Sequence, residues 1–283
     1  VEGGVPKTHL LLYKGMGKIS LQNVSLNYKD QNSTFCAIKN INVSIKEGEF
    51  VSIIGPSGCG KSTLLSLLTG LSFPTDGYVL LDGKQVQGTG TERGVVFQHY
   101  SLFPWMSARK NLIFGLKQAY RLKSKKDLEA IADKYLSLVG LKDFKNKYPS
   151  QLSGGMQQRV AIARAFAMNP SVLLMDEPFG AVDAKNRVIL QEQLLNLWDN
   201  GSERKTVILV THDIDEAILL SDRIIVMSAS PGTVKKEITI DFKRPRDRSF
   251  LIRSEKYANL RNRLVNLFYD DLVEKIGGDE VVL

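Results

Sequence analysis

The chain has 283 residues, 43% of them hydrophobic, with 38 Lys and Arg against 30 Asp and Glu, a formal charge of +8. That is enough to bury a real core in one elaborated domain or two small ones, and two cysteines, Cys36 and Cys59, exclude a disulfide framework and point to a reducing, cytosolic setting. No apolar stretch approaches the roughly 18 residues that cross a bilayer, no signal-peptide core opens the chain, and the basic residues are dispersed, as in Lys123-Ser124-Lys125-Lys126 and Lys243-Arg244-Pro245-Arg246. The charge therefore reads as a solvated face with some attraction to an anionic membrane surface, and no nucleic-acid partner is expected.

Residues 1–16 form an N-terminal extension ahead of the first patterned segment. From 17 to 50, apolar and polar positions alternate around Ile19, Leu21, Val24 and again around Ile41, Val43, Ile45, which predicts an antiparallel β-layer. Phe50-Val51-Ser52-Ile53-Ile54 reads as a buried parallel strand, and Ser62 to Leu68 as a helix. A hairpin follows where Tyr78-Val79-Leu80-Leu81 meets Asp82-Gly83, then a short strand at Gly94 to Phe97 ending at Gln98. The pattern turns helical from about Met106 to Leu152, with helices at Asn111 to Tyr120 and Lys126 to Val139 and a stop at Gly140. A helix over Gly155 to Met168, a strand over Ser171 to Met175, a helix over Asn186 to Trp198, a strand over Thr206 to Val210 and a helix over Ile214 to Leu220 complete an alternating pattern. Such alternation predicts a parallel α/β sheet. Tyr257, Leu260, Leu264, Leu267 and Leu272 share one face of a final helix expected to pack against the body.

Between the predicted strand at 50–54 and the helix at 62 lies Gly55-Pro56-Ser57-Gly58-Cys59-Gly60-Lys61-Ser62-Thr63, which fits G-x-x-x-x-G-K-[ST]. Its glycines let backbone N–H groups approach phosphate oxygens, and the helix N-terminus adds partial positive charge. Lys61 is placed to reach the β- and γ-phosphates, and the Ser62 hydroxyl suits Mg²⁺. Asp176 and Glu177 end an apolar strand, where open α/β sheets bind ligands; Asp176 is the candidate metal holder and Glu177 the candidate general base. His212 ends a further strand and is placed to contact the γ-phosphate and the water. Ser153-Gly154-Gly155 opens a helix, a pattern that is most often an ordinary N-cap but also offers free N–H groups to an anion.

With these motifs in order, the chain resembles the ATP-binding subunit of an ABC transporter over nearly all of residues 17–240. Tyr28 fits the aromatic that stacks on adenine, residues 55–63 the Walker A loop, Gln98 the Q-loop, and Leu152 to Gln158 the LSGGQ element. Asp176 and Glu177 fit Walker B, Gly180-Ala181-Val182-Asp183 the D-loop, and His212 the switch histidine. The resemblance implies a P-loop NTPase (RecA-like) α/β core with an antiparallel β-subdomain and a helical subdomain at about 100–165, and a C-terminal helical tail at 241–283. It implies ATP and Mg²⁺, with Gln98 joining Ser62 and Asp176 at the metal and Glu177 and His212 in hydrolysis. It also implies a second ATP-binding subunit bound head to tail, so that Ser153, Gly154, Gly155 and Gln157 of one chain meet the nucleotide of the other, with Asp183 in the D-loop between them.

The implied setting is the cytoplasmic face of the cell membrane, with permease subunits and, indirectly, an extracytoplasmic substrate-binding protein. The LSGGMQQR wording, the run from Gln98 to Leu102-Phe103-Pro104-Trp105 and the tail Arg244 to Arg248 look like the importer branch for nitrate, sulfonates, taurine and bicarbonate. Val182 stands where Leu is usual in the D-loop, and Arg109-Lys110 precede Asn111 where acidic or small residues are commoner, close to the surface expected to meet the permease. The alternatives are a non-transport ABC-type ATPase and an importer ATPase for another small solute. A chromosome-type relative would need a long coiled coil between Lys61 and Asp176, and 114 residues leave no room for one.

Overall fold

The computed structural model describes residues 17–29, 33–98, 101–199, 204–229 and 231–278, with side chains to Phe268; the N-terminal extension and the Leu272 side chain lie outside these. The elements are β1 (Ile19–Lys29), β2 (Thr34–Ile45), β3 (Phe50–Ile54), α1 (Lys61–Thr69), β4 (Asp76–Leu81), β5 (Lys84–Gln85), β6 (Arg93–Val96), α2 (Ala108–Ala119), α3 (Lys125–Leu138), α4 (Gly154–Ala167), β7 (Val172–Asp176), α5 (Ala184–Asp199), β8 (Thr206–Val210), α6 (Ile214–Leu220), β9 (Arg223–Met227), β10 (Val234–Thr239), α7 (Arg248–Ile252) and α8 (Glu255–Gly278).

They build two sheets. A four-stranded antiparallel layer has the order β2-β1-β4-β5, and a six-stranded sheet has the order β10-β9-β3-β8-β7-β6. In the second, β9, β3, β8, β7 and β6 run parallel and β10 is antiparallel to β9. The apolar runs of β7 and β8 divide by the pleat. Val172, Leu174, Ile208 and Val210 face α1 and the antiparallel layer, where they meet Leu64, Leu67, Ile41 and Val24. Leu173, Met175, Val207 and Leu209 face the other way, onto Phe166, Leu190, Leu194 and Trp198. Both faces are covered, which is why these strands read as unbroken hydrophobic runs.

Helices α2, α3 and α4 share a core of their own around Leu112, Leu116, Leu136 and Val160. Helix α3 begins with a reciprocal capping box between Ser124 and Asp127, and Gly140 takes φ +71° just past its end, as a helix stop requires. Helix α2 starts at Ala108, three residues before the expected Asn111, because the Ser107 side chain accepts from the Lys110 N–H at 3.4 Å. Asn111 is instead buried and pins the preceding loop, accepting from Phe103 N–H and donating to the carbonyls of Phe103, Met106 and Ser107.

Strands β9 and β10 were not expected from the sequence. β9 is Arg223 followed by four apolar residues, too short a run for periodicity to assign, and β10 is a solvated edge bearing Lys235, Lys236 and Glu237. The final helix lies on them and on α6: Tyr257 and Leu264 are buried, with Leu260 and Leu267 beside them. Asp215 fastens α8, accepting from Tyr257 Oη at 2.7 Å and Arg261 Nε at 2.9 Å. Burial, then Asp215, pushes the Tyr257 phenol up.

Under α6 sits Glu216, 4% exposed, which accepts from Thr211 Oγ1 at 2.8 Å and Gln191 Nε2 at 3.1 Å. Burial pushes its carboxyl up to about 7. The folded protein therefore holds a proton that the unfolded chain has released above its ordinary carboxyl range, so this group makes stability fall as pH rises from about 4.5 to 7. Glu216→Gln is expected to remove that slope, with a gain of up to about 3 kcal/mol over wild type at pH 8 and little difference at pH 4.5, read from urea unfolding at the two pH values.

Candidate active site

The parallel ladder sets the site. Ile53 lies beside Val210, Val210 beside Asp176, and Met175 beside Val96, so β3, β8, β7 and β6 end in one row. The segments that leave them carry Gly55, His212, Glu177 and Gln98. Four residues far apart in sequence thus emerge along one edge, at the C-terminal side where open sheets bind ligands.

After β3 the chain folds over as a loop and enters α1. Gly60 takes φ +87° at the helix start, and a Cβ there would run into the Ile38 side chain and lie 3.0 Å from Ala37 O. Only glycine suits both demands. Lys61 is buried, and its Nζ donates to Gly55 O at 2.8 Å and Pro56 O at 3.0 Å. This holds an ammonium inside the ring of loop backbone, with the Cys59 Sγ 3.7 Å away. Burial pushes the Cys59 thiol up, against the pull of Lys61. Above the loop opens a cavity of about 470 Å³ lined by Ser57, Gly58, Lys61 to Thr63, Glu177 and His212, with Tyr28, Phe35 and Phe268 at its rim. Tyr28 and Phe35 are direct partners across β1 and β2.

The acidic side is built by a backbone bend. Glu177 has φ +42°, a left-handed conformation that costs a side-chain-bearing residue about 1–2 kcal/mol. Its N–H still pairs with Val210 O at 2.9 Å, and its carbonyl accepts from Gly180 N–H at 3.1 Å. The turned carboxylate lies 3.1 Å from His212 Nδ1 through Oε1, and through Oε2 accepts from Gln98 Nε2 at 3.3 Å. Asp176 is hydrogen-bonded by the Ser62 side chain; burial and the neighbouring Glu177 charge raise its pKa, while Lys61 and Ser62 hold it down. A half-buried carboxylate that is disfavoured when charged and faces a hydroxyl is a fitting place for a hard cation with oxygen ligands. Among the described residues no cluster of three or more His, Cys, Asp or Glu forms a metal cage; the Ser62 hydroxyl beside the Asp176 carboxylate is the oxygen pair on which a cation could rest.

Sequence reasoning missed the groups that steady His212. Thr211 Oγ1 accepts from Asp213 N–H at 3.0 Å, and Asp213 caps α6 through the N–H groups of Asp215 and Glu216. The signal was present, as an Asp with a Glu three residues on opening a helix. Phe35 and Phe268 were missed as well, the first legible only from its register with Tyr28.

The remaining candidates stand elsewhere. Ser153 caps α4, accepting from Met156 N–H at 3.3 Å, and the Gln157 amide donates to Leu152 O at 3.2 Å. Asp183 caps α5, accepting from Asn186 N at 3.1 Å and Asn186 Nδ2 at 2.7 Å. Ser153, Gly154, Gly155, Gln157 and Asp183 do not line the cavity. The fold of one chain brings together the cradle, the acids, Gln98 and His212, and leaves the α4 N-terminus facing outward.

A strand, glycine loop and helix N-terminus facing a carboxylate pair at the end of β7, two places along the same sheet, define a P-loop nucleoside triphosphatase. The ABC transporter family model matches residues 38–180. An uncharacterised ABC transporter ATP-binding protein of Methanocaldococcus jannaschii is 47% identical over 261 residues, 92% of this chain and 94% of that protein. The nitrate import ATP-binding protein NrtD of Synechococcus elongatus is 46% identical over 89% of this chain and 92% of its own length. The bicarbonate transport ATP-binding protein CmpD of Synechocystis is 44% identical, covering 89% of each. The solved dimeric structure of the ATP-binding cassette MJ0796 in a post-hydrolysis state with ADP and Pi superposes with a TM-score of 0.70 at 39% identity, over 80% of this chain and 100% of that one. The chain belongs to the ABC transporter ATP-binding family and is an ATPase of that class.

Because Lys61 is the cation among the cavity-lining residues, Lys61→Ala is expected to weaken ATP binding by about 10- to 100-fold, the worth of one or two charge-assisted hydrogen bonds. Equilibrium titration with ATP checks it, and unchanged affinity would count against the cradle.

Proposed function

We propose that the chain powers uptake of a small anion, of the nitrate, bicarbonate or sulfonate kind, through a separate membrane permease. The observation that carries the ATPase is the Glu177 carboxylate between Gln98 and His212 at the mouth of the phosphate cradle, and the nitrate and bicarbonate import relatives support the anion reading. Residues 17–240 would form the ATP-binding domain, about 100–165 its helical subdomain and 241–283 a tail.

In this reading the loop N–H groups and Lys61 hold the β- and γ-phosphates of ATP, and Tyr28 takes the base. Ser62, Asp176 and Gln98 would hold Mg²⁺, which would offset the negative charge of the phosphates. Glu177, fixed by Gln98 and the backbone bend, accepts a proton from the attacking water, and His212 orients that water against the γ-phosphate. The open side of the cavity can take further donors. Ser153, Gly154, Gly155 and Gln157 of a second ATP-binding subunit would supply them head to tail, with Asp183 at the junction, as the outward α4 N-terminus and the dimeric state of the cassette MJ0796 support.

Closure of two such subunits would then move the permease. Among the described residues no helix is long and apolar enough to cross a membrane, and a peripheral place on the cytoplasmic face agrees with the net charge of +8. The surface formed a few residues after Gln98 offers a footing for the permease: Phe103 packs edge-on or tilted against Trp105 and Phe114 at centroid distances of 5.6 and 4.5 Å, and Trp105 is 69% exposed. Exposed aromatics next to the Q-loop suit a partner's inserted helix.

Glu177→Gln is expected to lower ATP hydrolysis by about 10²- to 10⁴-fold, keep ATP affinity within about twofold and accumulate an ATP-dependent dimer in size-exclusion chromatography; undiminished turnover would remove Glu177 as the base. For the solute, the chain reconstituted in liposomes with its co-purifying permease and binding protein should show ATPase stimulation by nitrate, bicarbonate or taurine. Stimulation by a sugar or an amino acid alone would overturn the anion reading.

A further inference from the structure

Helix α8 reaches the nucleotide cavity. Its stripe of Tyr257, Leu260, Leu264 and Leu267 seats on α6, β9 and β10. Two polar contacts fix its position along the axis, Asp215 to Arg261 in its second turn and Lys235 Nζ to Leu267 O at 3.1 Å near its middle. Phe268 lies four residues beyond buried Leu264, so it continues the same face, and there it lines the cavity of about 470 Å³ over the phosphate loop. Across that cavity's rim stand Tyr28 and Phe35, 47% and 54% exposed.

Three aromatic side chains from three separate elements therefore border one cavity whose floor is cationic and rich in N–H groups. The floor suits a triphosphate and the rim suits a planar ring, which aromatic faces bind by stacking. We propose that Phe268 is a second base-contacting aromatic, which completes the nucleobase subsite together with Tyr28 and makes the C-terminal helix part of the nucleotide site. The inference rests on the reading of residues 55–63 as the ATP cradle. It gives the tail a direct part in ATP affinity, transmitted through a helix that is already clamped to α6, the element that follows His212.

The test uses the full chain carrying Glu177→Gln, so that ATP persists, titrated calorimetrically with ATP and with tripolyphosphate. Phe268→Ala should weaken ATP by about 5- to 20-fold, within the range of one base-aromatic stack, and leave tripolyphosphate within twofold. Phe268→Trp should restore ATP binding and give an added indole emission that responds to ATP and not to tripolyphosphate. Equal or tighter ATP binding by Phe268→Ala would overturn the proposal, the latter by marking the ring as an obstruction. Parallel loss of both ligands would overturn it too, as damage to the loop. Where the alanine variant fails to fold, Phe268→Leu, which keeps the apolar helix face, together with the Trp emission decides the outcome. Failure of the cradle reading itself shows separately, as Lys61→Ala binding both ligands like its parent.

Discussion

The parallel hydrogen-bond ladder of β6, β7, β8 and β3 is the constraint on which the rest depends. Each strand is short, four or five residues, and β3, β8 and β7 are covered on both faces, so their backbone groups have no partner but a neighbouring strand. A slip of one residue would turn Leu173 and Met175 toward α1 and Leu174 toward α5, against the volumes built to receive them. Register is thereby fixed by packing, and with it the height at which each strand ends.

The site inherits its geometry from that fixed edge and its chemistry from two departures from easy structure. One is Gly60, where a left-handed backbone and the closeness of Ile38 leave room for no side chain. The other is Glu177, where a left-handed backbone is imposed on a glutamate while its N–H stays in the ladder. Strain of this kind persists only when the surroundings over-determine it, and here β8 and Gly180 do so. The result is a carboxylate turned from the strand axis toward Gln98 and His212. The Lys61 charge lowers the cost of ionising Asp176 on the same floor.

Beyond the core sheet, the molecule is organised around α6. Its N-cap, Asp213, steadies the segment carrying His212; its Glu216 is locked to Thr211 and Gln191; its Asp215 receives Tyr257 and Arg261 of the tail. A short helix of seven residues thus ties the histidine, helix α5 and the C-terminal helix into one packed unit. The bonds of Glu216 to Thr211 and Gln191 are buried, and neither can be broken without leaving a partner unsatisfied.

Much of this was legible in the residue order, because the signals are local. The glycine loop between an apolar strand and a helix, the acids closing a hydrophobic run, and the strands 50–54 and 206–210 need only period and spacing to be read. Element ends were read less well: α2 begins earlier because Ser107, not Asn111, caps it, and β10 is too polar to announce itself. What the sequence determined by itself is the cradle and the strands that carry its parts, since backbone propensity and short-range pattern act within a few residues. What only the tertiary structure decided is which distant side chains share a volume: Gln98 with Glu177 and His212, Phe35 and Phe268 with Tyr28, and Ser153 with none of them. Those meetings follow from strand order and helix docking, which depend on burying apolar area between segments far apart in the chain, and no local pattern encodes them.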